Sequence, residues 1–356
     1  MRLPRVASQS ALLVGLLLTG CLHAPRLAYS LDVPAQALTV AGAPPIQDGR
    51  VRFREIFCAL LDRAPGTGVR PCAELLHRLS DEAPGVPSPQ AMPAHAPSLA
   101  LLFVPGLPGE CVPGLSRPLE PAVEHMQRLG YEARLVPVSC LANSQTNAAQ
   151  LARAIAATRA EDVILVGHSK GAVDILELLV TAPAEAARVR AVLSVAGAIN
   201  GSPLAEAREG PAGLLPRKMA SRCEAVERSA LAELRRTARF RWLSSHSLPA
   251  QTHYFSLVAF TPPETISAPL RPSANALARF DPRNDGQLLF FDQVIPGSAL
   301  LGYVRADHWS VATRPTEPGA SRSTAWKHWR PFPQELLIEA AILHIIEALE
   351  HAGATR

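Results

Sequence analysis

"DVILVGHSKGAVDILELL", residues 162–179, joins a short apolar run to a helical stretch through Gly167-His168-Ser169-Lys170-Gly171. Val163–Gly167 is continuously apolar, as a strand buried on both faces of a parallel sheet is. A Gly-x-Ser-x-Gly turn between such a strand and a helix lifts its serine onto a strained backbone, where the hydroxyl is exposed to react. Side chains two positions on either side of Ser169 would strike neighbouring backbone, and Gly167 and Gly171 remove them. The helix that follows aims its first N–H groups at the place where negative charge would develop. The uneventful alternative is a serine in a tight strand-to-helix turn. The rest of the chain decides between the two.

On both sides of this turn, short apolar runs alternate with helical ones. Strands are expected at Leu99–Val104, Ala133–Val138, Val163–Gly167, Val189–Gly197 and His253–Phe260, and "ALLGYV" (Ala299–Val304) reads as the last. Helical patterns at Leu119–Leu129 and Ala148–Thr158 fall between them, and Pro333 to Gly353 brackets a terminal helix. This order predicts an α/β fold, a mostly parallel sheet with helices on both faces, spanning 99–353. Residues 200–249 carry helical, polar segments without a strand and read as a cap-like insertion. Ahead of the domain, Val51–Arg63 and Pro71–Leu79 read as two short amphipathic helices within a helical extension and linker over 51–98. The Pro- and Ala-rich 21–50 reads as a tether.

A serine in such a turn needs a base, and in this arrangement the base comes late in the chain with an acid between them. Of the eleven histidines, His308 follows the last strand on a loop, where the base belongs. His328, in an aromatic and basic stretch, reads as a packed loop residue, and His168, inside the turn, is expected to point away from the site. Asp285, in the sharp Asn284-Asp285-Gly286 turn, fits the acid best. Asp281 is its chief rival, Asp292 is less suited, and Asp307 should point away from its neighbour His308. The N–H groups of Lys170 and Leu107 are the expected oxyanion donors, while the Lys170 ammonium is expected in solvent. No metal or organic cofactor is implied.

Taken in order, "VPGLPGE" (104–110), "VGHSKG" (166–171), "NDGQLLFFDQVIPG" (284–297) and "DHWSVA" (307–312) resemble a bacterial serine lipase or esterase of the α/β-hydrolase superfamily. "NGSPLAEA" (200–207) resembles the stretch after the next strand of such enzymes. The resemblance covers about 99–353 and implies hydrolysis of carboxylic esters or lipids through an acyl-enzyme. It departs at Pro105-Gly106, where the family has His-Gly, and 22–98 matches no part of it. Acyl transfer or thioester cleavage by the same groups, and a hydrolase-fold protein that only binds, are the alternatives. An intact Ser, Asp, His order speaks against the last.

The start of the chain carries a different signal. Arg2 and Arg5 precede an apolar stretch, Ala11–Leu18, too short to span a bilayer, so 1–20 reads as a signal peptide. Leu18-Thr19-Gly20-Cys21 resembles the lipobox of bacterial lipoproteins, which implies acylation of Cys21, a bilayer as partner, and export. Leu22 in place of Asp favours the outer membrane, facing the periplasm or the cell surface. The formal charge of +4 owes two units to Arg2 and Arg5, and no basic cluster suggests nucleic acid. In an oxidising compartment the remaining cysteines are disulfide candidates: Cys58 with Cys72, Cys111 with Cys140, and Cys223 left free. Their spacing suits no zinc site.

Overall fold

The computed structural model describes residues 29–31, 44–64, 70–85, 92–106, 115–139, 142–206, 228–315 and 331–354. Their strands are β1 (Gln47–Asp48), β2 (Leu76–His77), β3 (Ala100–Val104), β4 (Glu132–Leu135), β5 (Val163–His168), β6 (Val189–Val195), β7 (His253–Ala259) and β8 (Ala299–Val304). They form one eight-stranded sheet in the order β1-β8-β7-β6-β5-β3-β4, with β2 also paired to β8. Only the β2–β8 pair is antiparallel.

The principal helices are α1 (Arg50–Arg63), α2 (Glu120–Arg128), α3 (Ser144–Ala156), α4 (Lys170–Thr181), α5 (Arg236–Ser245) and α6 (Gln334–Ala354). Side chains alternate across a strand, and here both sets are buried. Leu101, Phe103, Ile164, Val166 and Leu193 face Phe53 and Phe57 of α1, Met126 of α2, and Leu337, Ile338 and Ile342 of α6. Leu102, Val104, Leu165 and Val192 face Leu151 and Ile155 of α3 and Ala172, Ile175 and Leu176 of α4. A sheet covered on both faces needs apolar residues at every position, which is why these strands read as unbroken runs.

The beginning of the chain departs from expectation. Gln47–Asp48 lies alongside Ala299–Leu300, so the end of the stretch read as a tether is a strand of the main sheet. Only Cys72–Leu75 of the second expected helix is helical; Leu76–His77 turns into a strand against Tyr303–Val304. Residues this far from their partners carry no local pattern of the pairing. The Cys58–Cys72 disulfide joins α1 to the first residue of that short helix, with Cα atoms 5.3 Å apart. Cys21, Cys111, Cys140 and Cys223 lie outside the described residues.

Between β3 and β5 the chain reverses its direction of travel across the sheet: β4 lies beyond β3 on one side, β6 beyond β5 on the other. The carboxyl ends of strands at such a switch point leave a crevice where ligands bind in open α/β sheets. Ser169 follows β5 directly at that point.

Candidate active site

Ser169 stands between the end of β5 and the first residue of α4 with φ 54° and ψ −125°. This is a backbone conformation that a residue with a side chain rarely adopts. The surrounding packing holds it there. A Cβ on Gly167 would sit 2.6 Å from Ala172 Cα, and one on Gly171 would run into the Val104 carbonyl oxygen. From the loop after β3, Gly106 approaches so closely that a Cβ would lie 2.5 Å from Ser169 Cβ and 3.0 Å from the Lys170 nitrogen. That position is glycine because the loop passes directly against the turn.

Opposite the hydroxyl lies the loop after β8. His308 Nε2 is 2.8 Å from Ser169 Oγ, and His308 Nδ1 is 2.7 Å from Asp285 Oδ2. All three residues are buried. Asp285 is fixed from several sides. Its Oδ1 accepts from the N–H groups of Gln287 (2.8 Å) and Leu288 (2.7 Å). Its carbonyl accepts from the His308 N–H at 2.8 Å, so backbone and side chain of the two residues are paired together. Gly286, at φ +94°, closes the turn.

The rival acids are engaged elsewhere. Asp281 pairs with Arg283, Nη2 to Oδ2 at 2.7 Å. Asp307 accepts from the N–H and hydroxyl of Ser267 and from the N–H groups of Trp309 and Ser310, so it points away from the imidazole as expected. Asp292 is buried with Arg236 Nη2 3.2 Å from Oδ1 but out of line for a hydrogen bond. Burial pushes its carboxyl up to about 7, against the pull of Arg236.

Chemically, a hydroxyl in hydrogen-bond reach of an imidazole can lose its proton as it attacks a carbonyl. A buried carboxylate on the far ring nitrogen sets the tautomer and stabilises the imidazolium formed.

A solved structure of a metagenomic carboxyl esterase, MGS0156, is 38% identical, with a TM-score of 0.77 over 89% of this chain and 97% of that one. The chain belongs to the carboxyl esterase family of α/β-hydrolases. The mature Bacillus licheniformis lipase BlEst2 is 22% identical, covering 64% of this hydrolase and 89% of its own chain at a TM-score of 0.48. Phospholipase PlaB from Legionella pneumophila is 14% identical over 55% of the hydrolase and 45% of its own chain, at 0.39. No protein-family profile and no curated sequence matches the hydrolase.

Ser169, His308 and Asp285 are thus brought together in the hydrolase. Leu107 and His328 lie outside the described residues. Two expectations need correction. Lys170 is 1% exposed rather than solvated, because its ammonium meets Asp174 Oδ1 at 2.5 Å and Glu233 Oε1 at 3.1 Å. His168 does not point away: its ring lies 4.8 Å from that of His308, and its Nε2 donates to the His308 carbonyl at 3.0 Å. Burial, with the neighbouring His308 adding to it, holds His168 well below the usual imidazole value, so the ring stays neutral. Sequence reasoning also missed Gln293. Its amide pairs with both backbone groups of Ala259 at the end of β7, at 2.7 and 2.8 Å, and stands 3.4 Å from Asp285 Oδ2. An unremarked glutamine beside an aspartate offers no local clue to that pairing.

Proposed function

We propose that the protein hydrolyses carboxylic esters by nucleophilic catalysis. Ser169 attacks the carbonyl, His308 takes the hydroxyl proton and returns it to the leaving alcohol, and Asp285 orients the imidazole. The resulting acyl-serine is cleaved by water, with His308 as base a second time. The Lys170 N–H, at the head of α4, stabilises the oxyanion; Leu107 supplies the partner donor in this reading.

The observation that carries the reading is the continuous contact from Ser169 Oγ through His308 to Asp285 at 2.8 and 2.7 Å. Membership of the carboxyl esterase family supports the substrate class. Ser169→Ala and His308→Ala should each abolish p-nitrophenyl ester hydrolysis, and Ser169→Ala should also abolish labelling by a fluorophosphonate probe. Hydrolysis that survives Ser169→Ala would overturn the reading. A series of acyl-chain lengths then separates esterase from lipase preference.

The anchoring reading rests on the sequence of the first 22 residues: Arg2 and Arg5 before Ala11–Leu18, then Leu18-Thr19-Gly20-Cys21 and Leu22. Acylated Cys21 holds the enzyme on the outer membrane, and its substrates are esters or lipids met there. Wild-type protein should fractionate with membranes and Cys21→Ser should escape normal processing; mature protein found free in the periplasm of wild-type cells contradicts it.

A further inference from the structure

Lys170 occupies the position after the nucleophile, and its side chain is as deeply buried as the core leucines. An ammonium taken out of water loses its solvation, a cost that only close pairing offsets. Here two carboxylates answer it, and they come from different places. Asp174 lies one turn along α4, and its other oxygen accepts from Asn147 Nδ2 at 2.8 Å. Glu233 follows the short helix Arg228–Ala232, just ahead of α5. Its Oε1 also accepts from the Ser144 hydroxyl at 2.9 Å, and its Oε2 from the Ser144 N–H at 3.0 Å, at the start of α3.

The contacts continue along one stripe of α4. Lys170, Asp174 and Glu177 stand at helical spacing on the same face. Against them lie Glu233, then Arg239 and Trp242 of α5. Trp242 Nε1 donates to Glu177 Oε2 at 2.7 Å, and the Arg239 guanidinium, itself buried, lies 4.7 Å over the Trp242 ring. This charged seam ties the returning arm of the insertion to the helix that carries the oxyanion-stabilising N–H.

We propose that Glu233 is a positioning residue for ester hydrolysis: through the Lys170 ammonium it fixes the first turn of α4, and with it the aim of the Lys170 N–H at the oxyanion. The proposal rests on the Ser169 reading above. Glu233 touches neither the serine nor the imidazole; it reaches the Lys170 ammonium and Ser144 at the start of α3, and the Lys170 and Ser144 variants separate the two routes. Removing an oxyanion donor outright lowers turnover by about 10²–10³, and misdirecting one should lower it by roughly tenfold.

The test is a set of steady-state measurements on a short-chain p-nitrophenyl ester. Glu233→Gln should lower kcat about tenfold and leave KM within about twofold, since the lost interaction belongs to the transition state. It should weaken a boronic acid that mimics the tetrahedral adduct by the same factor. Lys170→Met should act alike, and adding Glu233→Gln to it should lower kcat no further. Ser144→Ala, which removes the hydroxyl contact to Glu233 Oε1 and keeps the backbone N–H contact to Oε2, should lower Tm while kcat holds. If Glu233→Gln does not fold, Glu233→Asp takes its place in the cycle, with a smaller loss expected. Additive losses in the double variant, or a fall in Tm with kcat unchanged in Glu233→Gln, would refute the positioning role. Activity surviving Ser169→Ala would instead remove the reading beneath it, so the two failures are distinct.

Discussion

At the residue scale, the identity of the acid is a question of what each carboxylate already binds. Asp285 alone of the candidates faces the imidazole, so Asp285→Asn should retain the fold and lower turnover by about 10⁴, the loss seen when a triad acid no longer sets the tautomer. Asp281→Asn breaks the Arg283 pair and should lower turnover far less; kcat on one ester ranks the two. Asp292 predicts a different phenotype. Its folded carboxyl titrates at about 7 against an ordinary 3.8, so below pH 4 both states are protonated and it is neutral to stability. As pH rises from about 4 to 7 the unfolded state ionises while the folded one stays protonated, and the unfolded state is increasingly favoured, by on the order of a few kcal/mol in all. Asp292→Asn should therefore stabilise the protein increasingly between pH 4 and 7 and by a constant amount above, read from urea midpoints. A gain independent of pH would contradict this.

At the element scale, the strands and the elbow were legible because their signals are local. Val163–Gly167 is apolar at every position since both faces are covered, and Gly167, Ser169 and Gly171 are spaced by the turn itself. Asp285 was legible through the Asn-Asp-Gly turn that presents it. What was not legible depends on distant partners. Gln47–Asp48 and Leu76–His77 are strands only because β8 lies beside them, and Lys170 is buried with Glu233, distant in sequence, joining Asp174 against its ammonium. One local signal was overlooked: Asn143 accepts from the Thr146 N–H at 2.9 Å and starts α3 four residues before its apolar stripe does. The disulfide is an element-scale clamp. Cys58→Ser with Cys72→Ser should lower stability by roughly 3 kcal/mol, the chain-entropy value for a loop of this size, while kcat holds. Chemical denaturation beside an ester assay reads both, and a parallel loss of kcat would tie the clamp to the site.

At the scale of the whole molecule, three histidines among the described residues are buried neutral in different regions: His77 beside Phe260 and His344 on α6, both pushed down to about 4 by burial, and His168. The unfolded chain protonates them below about 6.5 and the folded one does not. Stability that they leave intact above pH 6.5 is therefore lost as pH falls towards 4, by on the order of 2–3 kcal/mol each for His77 and His344. Measured on Asp292→Asn, which removes the opposing carboxyl, Tm should begin to fall near pH 6.5. A Tm flat to pH 4 would mean that these rings are charged in the native state.

The outer edge of β8 has one more consequence. Its neighbours β1 and β2 are made early, and the Arg52–Glu347 pair that closes α1 onto α6 joins residues 295 positions apart. During synthesis Phe53, Ile56 and Phe57 emerge long before the strand and helix that will cover them. Contacts so distant in sequence form slowly and leave apolar surface open to aggregation meanwhile. The first-made part of this domain is thus among the last to be finished. A chain begun at residue 99 would leave the edge of β8 bare, a ready template for pairing with another molecule. Such a truncation should accumulate as aggregate under conditions where the full chain is soluble, as sedimentation of the lysate would show.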